Sequence, residues 1–158
     1  MATERMTTLT FASTFPTPAR RLWADATDFA GINDELWPVL RMTTPDGVSR
    51  LDPAQIVLGR RLFRSRLLLL GVVPVEYDDL VITEIEAGRR FLERSSMLTS
   101  RVWQHERTIE AIGDGRCTLT DRVGFVPRLA ALRPVIAGLV PLLFRHRHRR
   151  LARRYASA

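Results

Sequence analysis

Four side chains of acid, base and cation type fall at spacings that would gather them in one place: Glu93, His105, Arg107 and Asp121. His105 and Arg107 stand two residues apart, so on an extended strand they share a face. Asp121 interrupts a second alternating stretch, Leu119, Val123 and Phe125. In such a row His105 would serve as general acid or base, and Arg107 would stabilise an oxyanion or enolate on a carbonyl-bearing ligand. The same row has a purely structural reading. An arginine turned into a core needs flanking carboxylates, because leaving its charge unpaired costs several kcal/mol. Tyr77 and Asp79 would join the row if their strand faces inward. None of these residues belongs to a specific catalytic motif.

His146 and His148 suggest a metal pair. Two residues apart on a helix they point about 200° away from each other, whereas a helical metal pair uses a spacing of four. Nothing in the sequence calls for a metal or another cofactor. Cys117 is the only cysteine, which excludes an intrachain disulfide, and reads as a small buried hydrophobe. Between Arg145 and Arg154 stand six arginines, two histidines and no acid, so most of the formal net charge of +7 sits in residues 145–158. A solvated helix end accounts for such a run. So does an anionic membrane surface met by Arg145, Arg147, Arg149, Arg150, Arg153 and Arg154, with the apolar segment Leu67–Val75 dipping in beside them. Nucleic acid is the least favoured partner, because aromatic residues are not interleaved with the arginines.

These residues need a scaffold to position them. A chain of 158 residues with 46% hydrophobic content reads as a single domain with a full core, residues 145–158 forming a basic C-terminal tail. The longest apolar runs fall short of the ~20 residues of a spanning helix. With no secretory leader in evidence, the expectation is a cytoplasmic protein, peripheral to a membrane if the tail docks there.

Thr8–Phe15 alternates as a half-buried strand. Thr17 and Pro18 predict an N-cap and first helical residue for a short helix to about Asp25. A second helix follows from about Asp28 to Leu36, ended at Trp37 by Pro38 and weakened by Gly31. Together they form a small cap carrying Leu22, Trp23, Phe29, Ile32 and Trp37. Val39–Thr43, Gly59–Leu70, Val75–Glu86, Arg89–Leu98, Val102–Ile112 and Arg116–Phe125 read as further strands. Phe63, Ser65, Leu67 and Leu69 share the inward face of theirs, while the faces of the next two are not assignable from their own patterns. The apolar run Leu129–Phe144, with Leu132, Ile136, Leu139 and Leu143 at steps of three and four, reads as one face of the only long helix. Pro134 and Pro141 interrupt it, so it starts near Pro134 and bends or starts afresh near Pro141.

Parity fixes the last hairpin. Gln104, Glu106, Thr108 and Glu110 form a wet face, which turns Trp103, His105, Arg107 and Ile109 inward. Pairing them with Leu119, Asp121, Val123 and Phe125 requires a three-residue loop, Gly113-Asp114-Gly115, with Gly115 left-handed. Arg107 then faces Asp121. A similar loop at Thr99–Arg101 would set Glu93 opposite Arg107, Ser95 opposite His105 and Met97 opposite Trp103.

This order of elements, with stretches such as Phe91-Leu92-Glu93-Arg94-Ser95-Ser96-Met97, Trp103-Gln104-His105-Glu106-Arg107 and Thr120-Asp121-Arg122-Val123, resembles the START-like superfamily that includes Bet v 1 and the polyketide cyclase and dehydrase proteins. The resemblance implies an α+β helix-grip fold: a curved antiparallel β-sheet wrapped around a long C-terminal helix, with two short helices after the first strand. It further implies an apolar cavity between sheet and helix that binds a hydrophobic small molecule such as a lipid, isoprenoid or polyketide-like compound. On that reading the lining comes from Phe63, Ser65, Leu67, Tyr77, Ser95, Met97, Trp103, His105, Arg107, Phe125, Ile136, Leu139 and Leu143. Members include carriers, sensors and cyclases, so the resemblance implies no particular reaction.

Overall fold

In a computed structural model that describes residues 4–156, the chain runs β1 (Thr7–Phe15), α1 (Ala19–Ala26), α2 (Phe29–Leu36), β2 (Leu40–Met42), β3 (Arg61–Leu69), β4 (Val73–Glu86), β5 (Arg90–Met97), β6 (Ser100–Ile112), β7 (Arg116–Pro127) and α3 (Arg133–Ala156). A 3-10 turn at Ala130–Leu132 leads into α3. The strands form one antiparallel sheet in the order β1-β7-β6-β5-β4-β3-β2. The sheet curls around α3, with α1 and α2 closing the side. This is the helix-grip architecture that the order of elements implies.

The hairpin of β6 and β7 pairs Ile112 with Arg116 and Arg107 with Asp121, as parity requires. The left-handed glycine is Gly113 (φ 65°) rather than Gly115, so the turn takes its positive φ at its first loop residue. Between β5 and β6 the pairing lies two residues from expectation: Glu93 faces His105, Phe91 faces Arg107 and Ser95 faces Trp103. The connection is tighter because the Glu76 carboxylate accepts from the Leu98 and Thr99 amides and the Thr99 hydroxyl. A shift of two leaves every side chain on its expected face.

The cap also departs from expectation in detail. Pro18, not Thr17, is the N-cap of α1, and the buried Thr17 hydroxyl has no hydrogen-bond partner. Asp28 caps α2 by accepting from the Ala30 and Gly31 amides. Trp37, the extended residue that ends α2, lies 48% exposed, its ring against Gly71 in the turn between β3 and β4. Gly31 is a packing requirement: a Cβ there would sit 2.2 Å from the Asp25 carbonyl oxygen, so only glycine lets the start of α2 lie against the end of α1.

Helix α3 starts at Arg133 with Pro134 in its first turn, where no intrahelical N–H is needed, and runs on through Pro141. Its buried stripe is Val140, Phe144, Arg147, His148, Leu151 and Tyr155. The inward face therefore lies along the second half of the helix, and Leu139, expected inward, is 59% exposed. Ile136 and Leu143 are half-buried at the edge of the stripe. Gly31→Ala is expected to lower unfolding free energy by about 1–3 kcal/mol, the usual cost of overpacking. Urea denaturation midpoints measure it, and an unchanged midpoint would contradict this account of the α1–α2 contact.

Candidate functional site

Pairing of β6 with β7 brings Arg107 and Asp121 together in the interior, where both are fully buried. Arg107 donates from Nε (2.7 Å) and Nη2 (2.9 Å) to the two oxygens of Asp121. Its other edge donates from Nη1 (2.8 Å) and Nη2 (3.0 Å) to Glu35 on α2. Glu35 also accepts from Arg147 Nε on α3 at 2.9 Å. Asp121 takes two more hydrogen bonds, from His105 Nε2 (2.7 Å) and His148 Nε2 (2.8 Å), which fills its four acceptor positions.

Burial pushes the Asp121 carboxyl up, but Arg107 and then His105 outweigh it and hold the group well below the usual carboxylate range. Glu35 is likewise pushed up by burial and held down by Arg107 and Arg147. Ionised Asp121 only accepts, so Nε2 of both histidines carries hydrogen, an assignment made from the acceptor. His148 Nδ1 is hydrogen-bonded to the Ser13 hydroxyl at 2.7 Å. In His105, Nδ1 faces Glu93 Oε2 at 3.8 Å.

Beside this network, between the sheet, α2 and α3, lies a cavity of about 80 Å³. Its wall is mainly apolar, including Phe29, Leu80, Ile82, Phe91, Trp103 and Phe144, with Asp78, Glu93, His105 and Arg147 as its charged or titratable members. Asp78 and Glu93 come from adjacent strands β4 and β5 and are both buried. Burial, and then the Glu93 carboxylate beside it, push Asp78 well above its ordinary value. The Ser95 hydroxyl donates to Glu93 Oε1 at 2.9 Å.

Of the residues expected at the site, Leu67, Met97, Trp103, His105 and Leu143 line the cavity, as does Glu93. Phe63 packs edge-on against Phe29 at 5.5 Å within the core. Ser65 is buried but spends its hydroxyl on the Thr43 carbonyl. Ser95 sits behind Glu93, Phe125 is enclosed in the sheet interior, and Ile136 packs against the Val123–Phe144 cluster. Leu139 points outward. Tyr77 and Asp79 lie on the outer face of β4, the tyrosine ring under the Arg64 guanidinium at 4.0 Å and Asp79 paired with Arg64. The period of two therefore turns Asp78, Leu80 and Ile82 inward instead. Arg107 is close to the cavity but does not line it, because four of its five N–H groups point at Asp121 and Glu35.

Glu35 and Asp78 were not singled out by the sequence, and Arg147 and His148 entered only as a membrane-facing arginine and a metal candidate, yet helical spacing carried a signal for three of the four. Glu35 stands three residues after Ile32. Arg147 and His148 stand three and four after Phe144 and just before Leu151, on the one buried stripe. The basic run is thus the second half of α3. Arg150 donates to Asp34, Arg154 to Asp34 and Asp25, and the Tyr155 hydroxyl to Asp25. His146 Nε2 bonds the Trp37 carbonyl, while Arg145 and Arg149 are exposed.

Residues 13–155 match a family model described as a domain of unknown function, DUF8410. The chain belongs to the DUF8410 family. No curated protein matches it. Among solved structures this DUF8410 domain is similar to a START superfamily protein from Mycobacterium smegmatis, at 10% identity and TM-score 0.68, over 95% of this chain and 97% of the other. It is similar to the Zhui aromatase/cyclase from Streptomyces at 14% identity and TM-score 0.70, over 96% and 94% of the two chains. Ara h 8.0201 aligns at 15% identity and TM-score 0.66, over 98% and 100%. At such identities the likeness shows the fold: DUF8410 has the START/Bet v 1-like helix-grip fold.

The two classes of buried acid give opposite pH signatures. Asp121, depressed in the fold, contributes stability that is complete above its unfolded value near 3.8 and is lost as pH falls through the lower folded value. Asp78, raised in the fold, is neutral to stability below about 3.8 and costs stability as pH rises above it. Asp78→Asn should therefore raise unfolding free energy at pH 7 and do little at pH 3.5, measured by urea denaturation at both. An equal loss of stability at the two values would contradict this.

Proposed function

We propose that the DUF8410 domain binds a hydrophobic small molecule in the cavity between the sheet and α3, as a carrier or sensor. The observation that carries the reading is the cavity itself, an apolar chamber with a small cluster of titratable groups on one wall. That combination is the usual chemistry of a small-molecule site. Its volume sets the scale of the ligand. About 80 Å³ is less than the ~150 Å³ in which an engineered apolar cavity holds benzene. A lipid, isoprenoid or polyketide-like compound would need ~300 Å³ or more, so a ligand of that size requires the wall to yield. Leu143, half-buried on α3, is the part of that wall nearest solvent on its helix. No helix among the described residues is long and apolar enough to cross a membrane.

A second reading, a cyclase-type or dehydratase-type enzyme, has its own support in His105. The ring lines the cavity, and Asp121 holds Nε2–H so that Nδ1 is the nitrogen left for proton transfer. In this reading Arg107 acts through Asp121 as a positioning residue. The two readings part at His105→Ala: an enzyme loses turnover while keeping ligand, and a binder loses affinity alone.

Native mass spectrometry of the purified protein, followed by identification of what denaturation releases, is expected to show a retained apolar compound. Leu143→Trp, which fills the cavity, should abolish that mass shift while the protein stays folded by circular dichroism. Retention by the variant at the wild-type level would sink the cavity reading.

A further inference from the structure

The titratable wall of the cavity is acidic, opposite in sign to a site for an oxyanion. The nearby guanidiniums are committed elsewhere: Arg107 to Asp121 and Glu35, Arg147 to Glu35. Asp78 and Glu93 have no arginine in ion-pair contact among the described residues. Their neighbours are each other, the Ser95 hydroxyl and His105, whose Nδ1 stands 3.8 Å from Glu93. Asp78, only 3% exposed and part of the cavity wall, leaves Oδ1 with no hydrogen-bond partner. Burial, and then the Glu93 carboxylate beside it, push the Asp78 carboxyl up, so Asp78 is the member of the pair that keeps its proton. Phe91 and Trp103 stand in the same wall, and aromatic faces attract cations, whereas the Phe144 ring is stacked on Phe11 and already has the Arg147 guanidinium over it at 5.0 Å. His105 bonds Asp121 through Nε2 and turns Nδ1 toward Glu93 on the cavity side. The Arg147 charge, which also borders the cavity, is balanced by Glu35.

We propose that the cavity is a site for a small protonated amine with an apolar body, its ammonium group seated between Asp78 and Glu93. This rests on the reading of the cavity as a ligand site. The ammonium takes the place of the Asp78 proton, which leaves to solvent, and no covalent bond forms between amine and protein. With about 80 Å³ to fill, the amine is of the size of isobutylamine unless the wall moves.

The test is calorimetric titration of the full chain with isobutylamine, isobutanol and isobutyrate at pH 6, in two buffers of different ionisation enthalpy. The amine should bind at least ~10-fold more tightly than the alcohol, the difference between charge-assisted and neutral hydrogen bonds. Isobutyrate should not bind, and amine binding should release protons into the buffer. Asp78→Asn should bring the amine down to the level of the alcohol and abolish the proton release. Alcohol binding as tight as amine binding, or amine binding without proton release, overturns the inference while leaving the cavity a hydrophobic site. If none of the three binds but the protein retains a neutral apolar compound in native mass spectrometry, the amine inference fails alone. If nothing apolar binds by either method, both fail.

Discussion

The buried guanidinium of Arg107 is the constraint on which the rest of the domain depends. It lies between Asp121 on β7 and Glu35 on α2, and Glu35 in turn holds Arg147 on α3, so one chain of charge-assisted hydrogen bonds ties sheet, cap and gripped helix together. Such a network contributes little net stability against an apolar core of the same shape, because desolvating the charges is costly. Its physical role here is geometric. Once Arg107 is inside, both carboxylates must be in place, and each of them comes from a different element. The acid on α2 brings the cap down onto the sheet, and the second arginine fixes the rotation of α3 about its own axis.

That constraint also sorts the titratable groups into two environments. Asp121 and Glu35 sit among cations and stay ionised, sealed from any ligand. Asp78 and Glu93 sit against an apolar cavity with no arginine paired to them, the Arg147 of the same wall being held by Glu35, so Asp78 is the group whose charge state a ligand can change. His105 bridges the two, Nε2 on the sealed side and Nδ1 on the cavity side. Chemistry at this site, whether binding or proton transfer, is therefore expected to pass through the acids and the histidine rather than through the arginine.

Most of the fold was legible in the sequence because alternation along β6 and β7 is unambiguous, and parity then set the Arg107–Asp121 pairing with no knowledge of the third dimension. Less of the site was. Glu93 pairs across from His105 and not Arg107 because Glu76 tightens the β5–β6 connection, a side-chain contact that no periodicity encodes. The partner that Arg107 takes in its place, Glu35, lies 72 residues away on a short helix, a separation that strand alternation and parity do not bridge. In α3 the arginines and histidines of the second half masked the buried stripe they share with Phe144, Leu151 and Tyr155, so composition pointed to a tail where spacing pointed to a core. The inward face of β4 was hidden by paired acids, Asp78 and Asp79, one of which is buried and the other bonded to Arg64 at the surface.

The measurement that tests the central claim most directly is a double-mutant cycle between Arg107→Met and Glu35→Gln, read as unfolding free energy in urea. If Arg107 holds the cap to the sheet, each single change is strongly destabilising and the pair is non-additive, with a coupling of about 2 kcal/mol or more. Additive effects within about 0.5 kcal/mol would mean that the two residues act independently, and the account of a network organising the fold would be wrong.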